Sequence, residues 1–348
     1  MTIHEHVPLA PLTTLQVGGK ARYLAEAASE DDILEAVDFA HGKDLPLFVL
    51  GGGSNVLVAD AGWPGLVVKV AIGGITQEEE GGTVLFDAGA GVEWDALVAQ
   101  AVNSDCAGVE CLSGIPGSVG GTPVQNVGAY GQEVSKIIES VRAFDLKENR
   151  IVVLPEQACR FRYRTSIFNT AERGRYIILQ VTYRLTPGGI PSLKYADLQK
   201  YFSASGSRPS LAQVRETVQR IRQSKGMLIV PGDADSLSAG SFFKNPVLSE
   251  AQFRDLGSRA ELKNLKIPNY PALDAQRKVS AAWLVEHSGF AKGFTLGAAG
   301  ISRKHALALI NTGSASAADI VRLKQKIQQG VEEAWGIVLE PEPVFVGF

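Results

Sequence analysis

The stretch GIPGSVGGTPVQNVGAYG, Gly114 to Gly131, packs six glycines, two prolines and two small hydroxyl residues into one run. Such a run is a poor helix and a poor core strand. Glycine loses more backbone freedom on folding than any other residue, so ordering this loop is costly unless something fills it. Long loops in compact domains are mostly functional. A diphosphate suits it, because many backbone N–H groups can approach closely, with the Ser118 and Thr122 hydroxyls and the Asn126 amide nearby. Tyr130 offers a flat face or a hydroxyl. The competing reading is a structural omega loop.

A second glycine cluster precedes it. In VLGGGSNVLV, Gly51, Gly52 and Gly53 follow an apolar strand, and Ser54 and Asn55 follow them. Consecutive glycines let successive N–H groups converge on an anion, with two side-chain donors added. A tight turn between strands explains the same residues equally well. The segment is neither a dinucleotide fingerprint nor a P-loop: a strand, VLVAD, comes next instead of a helix, and no Gly-Lys-Ser/Thr follows.

Around these loops the chain reads as mixed helix and strand. Ser29 with Asp32 marks a capping box opening a helix through Ile33, Leu34, Val37 and Ala40. LPLFVL, GLVVKV and YIILQVTYRL read as strands, and residues from Trp94 to Val102 as a helix. A basic helix from Leu211 to Gln223 carries Leu211, Val214, Val218 and Ile221 at helical spacing. Ser316 and Asp319 cap a last helix striped by Ile320, Leu323, Ile327, Val331 and Trp335. The C-terminal IVLEPEPVFVGF holds two prolines that suit only a sheet edge.

Bulk properties exclude several classes. A net charge of −3 with 20% charged residues does not suit a nucleic-acid binder. No apolar run is long enough to span a membrane, and the N-terminal segment lacks the basic-then-apolar pattern of a secretory signal. Cys106, Cys111 and Cys159 are an odd set without a CxxC pair. They read as reduced thiols, hence a cytoplasmic protein with no metal site.

AGSFFKNP, Ala239 to Pro246, places Ser241 before two phenylalanines, with Lys244, Asn245 and a proline after them. No Gly-x-Ser-x-Gly elbow surrounds it. Ser241 is either a turn residue closing a strand or a hydroxyl held ready to give up a proton.

Taken in order, GGGSN, GIPGSVGG…QNVGAYG, FRYRTSIF and AGSFFKNP strongly resemble the UDP-N-acetylenolpyruvoylglucosamine reductase family, over nearly the whole chain from TTLQVGG to LEPE. The resemblance implies an α+β architecture: a vanillyl-alcohol-oxidase-like FAD-binding fold of two subdomains (1–70 and 71–223) and a substrate-binding domain (224–339). Residues 340–348 are expected to return to the first subdomain. It implies non-covalent FAD on the two glycine loops, through Gly51, Gly52, Gly53, Ser54, Asn55, Gly117, Ser118, Gly121, Thr122, Asn126, Gly128, Tyr130 and Gly131. NADPH is implied as co-substrate, with a sugar nucleotide as substrate, a monomer, and a place in bacterial peptidoglycan precursor synthesis.

In the implied reaction hydride passes from flavin N5 to the methylene of an enolpyruvyl ether, and charge builds on the adjacent carbon and carboxylate. An acid must then protonate that carbon, and donors must hold the carboxylate. By the resemblance Ser241 is the proton donor. Arg164, of the three arginines in CRFRYR, and Glu342 stabilise the carboxylate. Here Pro343 and Val344 stand where the family has Val-Arg, and Glu340 lies only two residues from Glu342. Tyr195 in SLKYADLQ resembles the tyrosine that closes over the substrate diphosphate in the longer branch of the family. Lys225 and Asn245 are expected on the substrate. His287, alone at a helix end, is expected to be structural. A flavin oxidase and a non-catalytic nucleotide-sugar module are the alternatives. The glycine loops lack a histidine or cysteine for a flavin tether, and binding alone needs no acid.

Overall fold

A computed structural model describes residues 1–203, 208–272 and 275–348. The chain forms two compact units. One comprises Met1–Val7, Ala21–Gly53 and Pro64–Ser224; the other comprises Pro8–Lys20, Ser54–Trp63 and Lys225–Phe348.

Among the described residues, two larger sheets lie in the first unit. Strand Leu47–Leu50 runs parallel to Trp63–Val70 in a four-stranded sheet that continues through Lys20–Ala27 to Ile3–Pro8. In the larger sheet Tyr176–Pro187 is central, pairing antiparallel with Ile138–Asp145 on one side and Thr83–Gly89 on the other. Period-two alternation explains its place: Leu179, Val181, Tyr183 and Leu185 are buried, while Gln180, Thr182 and Arg184 between them are not. Helix Glu30–Gly42 starts at the Ser29–Asp32 capping box. It buries Ile33, Ala36, Val37 and Ala40, whereas Leu34, expected on the same stripe, is exposed. Residues expected in two subdomains share one apolar cluster here, from Ala25, Ile33 and Leu66 through Phe86, Trp94 and Val141 to Leu211. The sequence border at residue 70 therefore falls inside a continuous core.

In the second unit a four-stranded sheet orders Ser238–Ser241, Ala308–Asn311, Ala299–Ile301 and Thr295–Leu296. Helix Ala317–Trp335 lays its Ile320, Leu323, Ile327, Val331 and Trp335 stripe into the core beside Phe242, Phe243 and Leu284. Its first turn is capped twice over, by Ser316 and by Asp60, whose carboxylate accepts from the Ala317 and Ala318 N–H groups at 2.7 and 3.0 Å. The C-terminal Val344–Val346 pairs parallel with Val56–Val58, forming a two-stranded sheet. Both prolines of the tail lie outside that ladder.

Asp145 sits at the end of Ile138–Asp145, only 2% exposed. The Arg175 guanidinium, donating at 2.9 and 2.7 Å, holds its carboxyl down to about 2, aided by the Lys147 and Glu148 N–H groups against the opposing pull of burial. A depressed carboxyl stabilises the fold above its unfolded pKa of ~3.9, and that contribution is lost as pH falls through the folded value. Denaturant melts of the wild type and Asp145→Asn are therefore expected to differ fully above about pH 5 and to converge near pH 2. A gap independent of pH would contradict this.

Among the described residues no helix is long and apolar enough to cross a membrane, and no group of His, Cys, Asp and Glu could hold a metal ion. All three cysteines are buried free thiols. Burial pushes Cys159 up to about 12 and raises Cys111 as well, so neither is a thiolate at neutral pH.

Candidate active site

In the first unit the two glycine clusters abut. The Gly52 N–H donates to Ser118 Oγ at 3.2 Å. A Cβ on Gly52 would lie 2.6 Å from Gly117 Cα, and one on Gly51 would lie 2.7 Å from Ser118 Oγ. Gly53 and Gly117 adopt φ of +65° and +123°. Glycine is thus required by close approach to backbone at 52, and favoured by conformation at 53 and 117. Gly52 and Gly121 face outward. The arrangement is a close contact of two glycine turns with the Ser118 hydroxyl between them, a backbone-lined surface of the kind that suits the diphosphate of a dinucleotide cofactor.

The long loop is pinned along its length. Asp95, on helix Trp94–Asn103, accepts from the Gly114 N–H and takes both Arg215 guanidinium N–H groups at 2.7 Å. Arg222 Nε donates to Gly114 O at 3.0 Å. Burial works to raise the Asp95 carboxyl, but the Arg215 and Gly114 bonds and the Arg215 and Arg222 charges outweigh it and leave it lowered. Both arginines project from helix Leu211–Ser224, so part of the basic excess of that segment serves loop anchoring. Asp95→Asn leaves Arg215 without its charged partner and is expected to cost ~2 kcal/mol of stability. Flavin should also be released more readily, as thermal melts with and without added FAD would show.

Two residues expected on the cofactor are already committed to protein partners. Thr122 Oγ1 donates to Val119 O at 2.9 Å and shares a 2.7 Å bond with the buried Tyr183 hydroxyl. Asn126, 1% exposed, donates from Nδ2 to Arg162 O and Glu133 Oε2, and its Oδ1 accepts from the Ser135 N–H. Their side chains tie the loop together from within. Gly128 pairs with Glu133 in a short hairpin, and Tyr130 and Gly131 form its tip with φ of +49° and +87°. Positive φ at both central residues is the pattern that tight two-residue hairpins require.

FRYRTSIF clamps onto the same loop. Arg162 and Thr165 exchange backbone hydrogen bonds of 2.9 and 3.1 Å around a tight turn, with Arg164 at φ +56°. Ser166 Oγ donates to Val124 O at 2.6 Å. Arg164 reaches back to Gly128 O at 2.8 Å and Asn126 O at 3.4 Å. Arg160 and Arg162 are exposed, while Arg164 is half-buried. The geometry therefore separates Arg164 from its neighbours, which their shared chemistry could not do. Tyr195, 39% exposed, stands edge-on to Tyr130 with ring centroids 5.2 Å apart.

The second unit carries the remaining candidates. Ser241 ends strand Ser238–Ser241 opposite Ala308, just after Gly240 at φ +71°. The buried rings of Phe242 and Phe243 anchor the chain immediately beyond it, and the Phe242 N–H donates to Leu307 O at 2.7 Å. The C-terminal segment runs alongside: the Glu342 N–H donates to Phe242 O at 2.8 Å, and the Lys244 N–H to Glu340 O at 3.0 Å. Asn55 fastens the outer side, its Nδ2 donating to Glu342 O at 3.3 Å and its O accepting from the Val344 N–H. Ser54 O accepts from Thr14 Oγ1. Within one unit, then, Ser241, Glu342 and Asn55 are assembled by backbone pairing.

Glu340 and Glu342 are distinguished here too. The Glu340 side chain is 75% exposed and pairs with Lys244 Nζ at 3.6 Å, whereas Glu342 is half-buried. Lys244 is thereby engaged on the Glu340 side. Asn245 Oδ1 accepts from the Ala281 N–H at 2.9 Å, at the start of helix Ala281–Glu286, which leaves its N–H₂ as the half suited to a substrate oxygen. Lys225 is half-buried at the head of the unit. His287 stacks on Trp283 at 4.6 Å with Nδ1 2.8 Å from Trp283 O, a structural placement.

A model of the FAD-binding domain matches residues 21–154, which span both glycine clusters. With the close-packed glycine turns just described, this defines an FAD-binding protein of α+β architecture. The C-terminal-domain model of UDP-N-acetylenolpyruvoylglucosamine reductase matches residues 232–346. The reductase of Thermobifida fusca is 44% identical over 98% of this chain and 97% of its own, and that of Mycobacterium tuberculosis 43% identical over 99% and 95%. The crystal structure of the Thermus caldophilus reductase superimposes with a TM-score of 0.69 at 26% identity, covering 99% of each chain. The chain belongs to the UDP-N-acetylenolpyruvoylglucosamine reductase family.

Proposed function

We propose that this protein reduces the enolpyruvyl ether of UDP-N-acetylglucosamine enolpyruvate to UDP-N-acetylmuramate at the expense of NADPH, in the bacterial cytoplasm and in the service of cell-wall precursor synthesis. The observation that carries the reading is the pairing of the Glu342 backbone with Phe242, which sets Glu342 beside the segment that begins at Ser241. An acid hydroxyl and a carboxyl on adjoining segments suit a substrate that gains a proton next to a carboxylate.

Bound FAD, held non-covalently on the abutting glycine turns, supplies the two-electron relay between NADPH and substrate. The chain's residues handle charge and protons. Ser241 Oγ–H gives its proton to the substrate carbon that becomes electron-rich. A serine hydroxyl is a weak acid, but an enolate-like carbon is a strong base, so the mismatch is small. Arg164 offers a planar fork for the substrate carboxylate, and Glu342, protonated when it acts, donates to the same group. Lys225, the Asn245 N–H₂ and Tyr195 hold the sugar-nucleotide diphosphate. Pairing of Ser241 with Ala308, and of the next residue with Leu307 and Glu342, fixes the backbone that carries this hydroxyl, which limits the reorganisation it needs.

The test is direct. Flavin released from the purified protein should chromatograph as FAD, and product from the enolpyruvyl sugar should weigh two hydrogens more than substrate, with NADPH preferred to NADH. Release of FMN, or an unchanged substrate mass with active flavin, would overturn the reading.

A further inference from the structure

Glu110 is a fully buried carboxylate, 0% exposed, in the short segment just ahead of the long glycine loop. Its Oε1 accepts from Gln132 Nε2 at 2.8 Å and from the Ser192 N–H at 2.9 Å, and its Oε2 accepts from the Gly108 N–H at 2.8 Å. Three donors compensate a charge that would otherwise be costly to bury. The next residue doubles both links: the Cys111 N–H donates to Gln132 Oε1 at 2.8 Å, and Cys111 Sγ lies 3.2 Å from Ser192 O.

What these links hold is specific. Gln132 pairs with Ala129 next to the hairpin tip that carries Tyr130. Ser192 lies three residues before Tyr195, and a Cβ on Gly131 would already be 3.3 Å from Lys194 Cβ. The two rings meet edge-on at 5.2 Å. One carboxylate thus sets two otherwise separate segments, 128–133 and 190–195, so that their tyrosines face one another. A hydrophobic core with no charge would have been enough to bury this spot. An acceptor with more than two lone pairs is needed because three N–H donors converge on it.

We propose that Glu110 is a positioning residue for substrate binding, acting through the placement of Tyr195 against the Tyr130 hairpin rather than on the reacting atoms. The proposal rests on the functional reading above. Glutamine at this position keeps the shape but turns one acceptor into a donor, so one of the three N–H groups loses its partner.

The test is a double-mutant cycle on the FAD-loaded protein, with the enolpyruvyl sugar nucleotide as variable substrate and with UDP alone titrated calorimetrically. Glu110→Gln is expected to raise KM about tenfold and weaken UDP binding in step, with kcat within about threefold of wild type. In a Tyr195→Phe background the same substitution should add less than about twofold, because residues acting as a unit are non-additive. Multiplying effects in the double variant would overturn the proposal, as would a fall in kcat and FAD content at constant KM. Should Glu110→Gln fail to fold, Gln132→Ala cuts the half-buried link on the Tyr130 side alone; a raised KM supports the proposal and an unchanged one overturns it. If the unmutated protein cannot turn over the enolpyruvyl sugar, the functional reading itself falls and takes this inference with it; additivity in an active protein removes the inference alone.

Discussion

Ser241→Ala is expected to leave flavin reduction by NADPH intact while cutting turnover of the enolpyruvyl sugar by about 10²- to 10⁴-fold, the range that a positioned general acid contributes. The substitution removes one oxygen from a half-buried strand end whose fixing contacts are made by others: the Phe242 N–H to Leu307 O, the Phe242 carbonyl to the Glu342 N–H, and the two buried phenylalanine rings. The fold and the Glu342 pairing should survive, so the loss should appear in kcat with little change in KM. Rapid-mixing traces that separate flavin reduction from its reoxidation would show the defect in the second phase only. If both phases slow equally, Ser241 serves the architecture of the site and a different group delivers the proton.

Gly52→Ala should act on the other half of the machinery. Gly52 is exposed, and exposed substitutions are ordinarily mild. Here the new methyl would lie 2.6 Å from Gly117 Cα and 2.8 Å from both Gly117 C and Ser118 N, all backbone atoms with no rotamer to yield. The two glycine turns must separate, and strain of this kind costs typically 1–3 kcal/mol. That separation also disturbs the Gly52 N–H to Ser118 Oγ bond. Affinity for FAD should fall by about 10- to 100-fold, the same cost expressed in binding, with the protein purifying largely as colourless apoprotein. Retained flavin at wild-type affinity would mean that the two turns do not form one cradle.

Much of this was legible in the residues. Capping boxes at Ser29–Asp32 and Ser316–Asp319 start helices where the side-chain chemistry says they should, and the five-residue stripe of the last helix is buried throughout. Four ordered motifs carried the family, and the family carried the fold. What could not be read is where side chains point within irregular segments. Thr122 and Asn126 have the right chemistry for an anion site, but the loop turns them inward to Tyr183, Arg162 and Ser135, because a long glycine-rich loop needs internal ties to be ordered at all.

Non-local pairing was equally hidden. Asn55 meets the Glu342 backbone 287 positions away, and nothing local in GGGSN or LEPEP announces it. Glu110 is the sharpest case. In GVECLSG it is one acidic residue among apolar neighbours, with no spacing that marks it. Only the convergence of Gly108, Gln132 and Ser192 N–H groups gives it a purpose. The one available signal was energetic: an acidic residue inside an otherwise buried run, Val109 to Ser113, demands partners.

On this account one chain couples nicotinamide oxidation to reduction of an enolpyruvyl sugar nucleotide through flavin. An anaerobic titration followed by absorbance tests it most directly. Limiting NADPH should bleach the bound flavin, and UDP-N-acetylglucosamine enolpyruvate added afterwards should restore the yellow colour promptly and in stoichiometric amount. Bleaching that the enolpyruvyl sugar fails to reverse would contradict the substrate assignment and leave a flavoprotein that acts on something else.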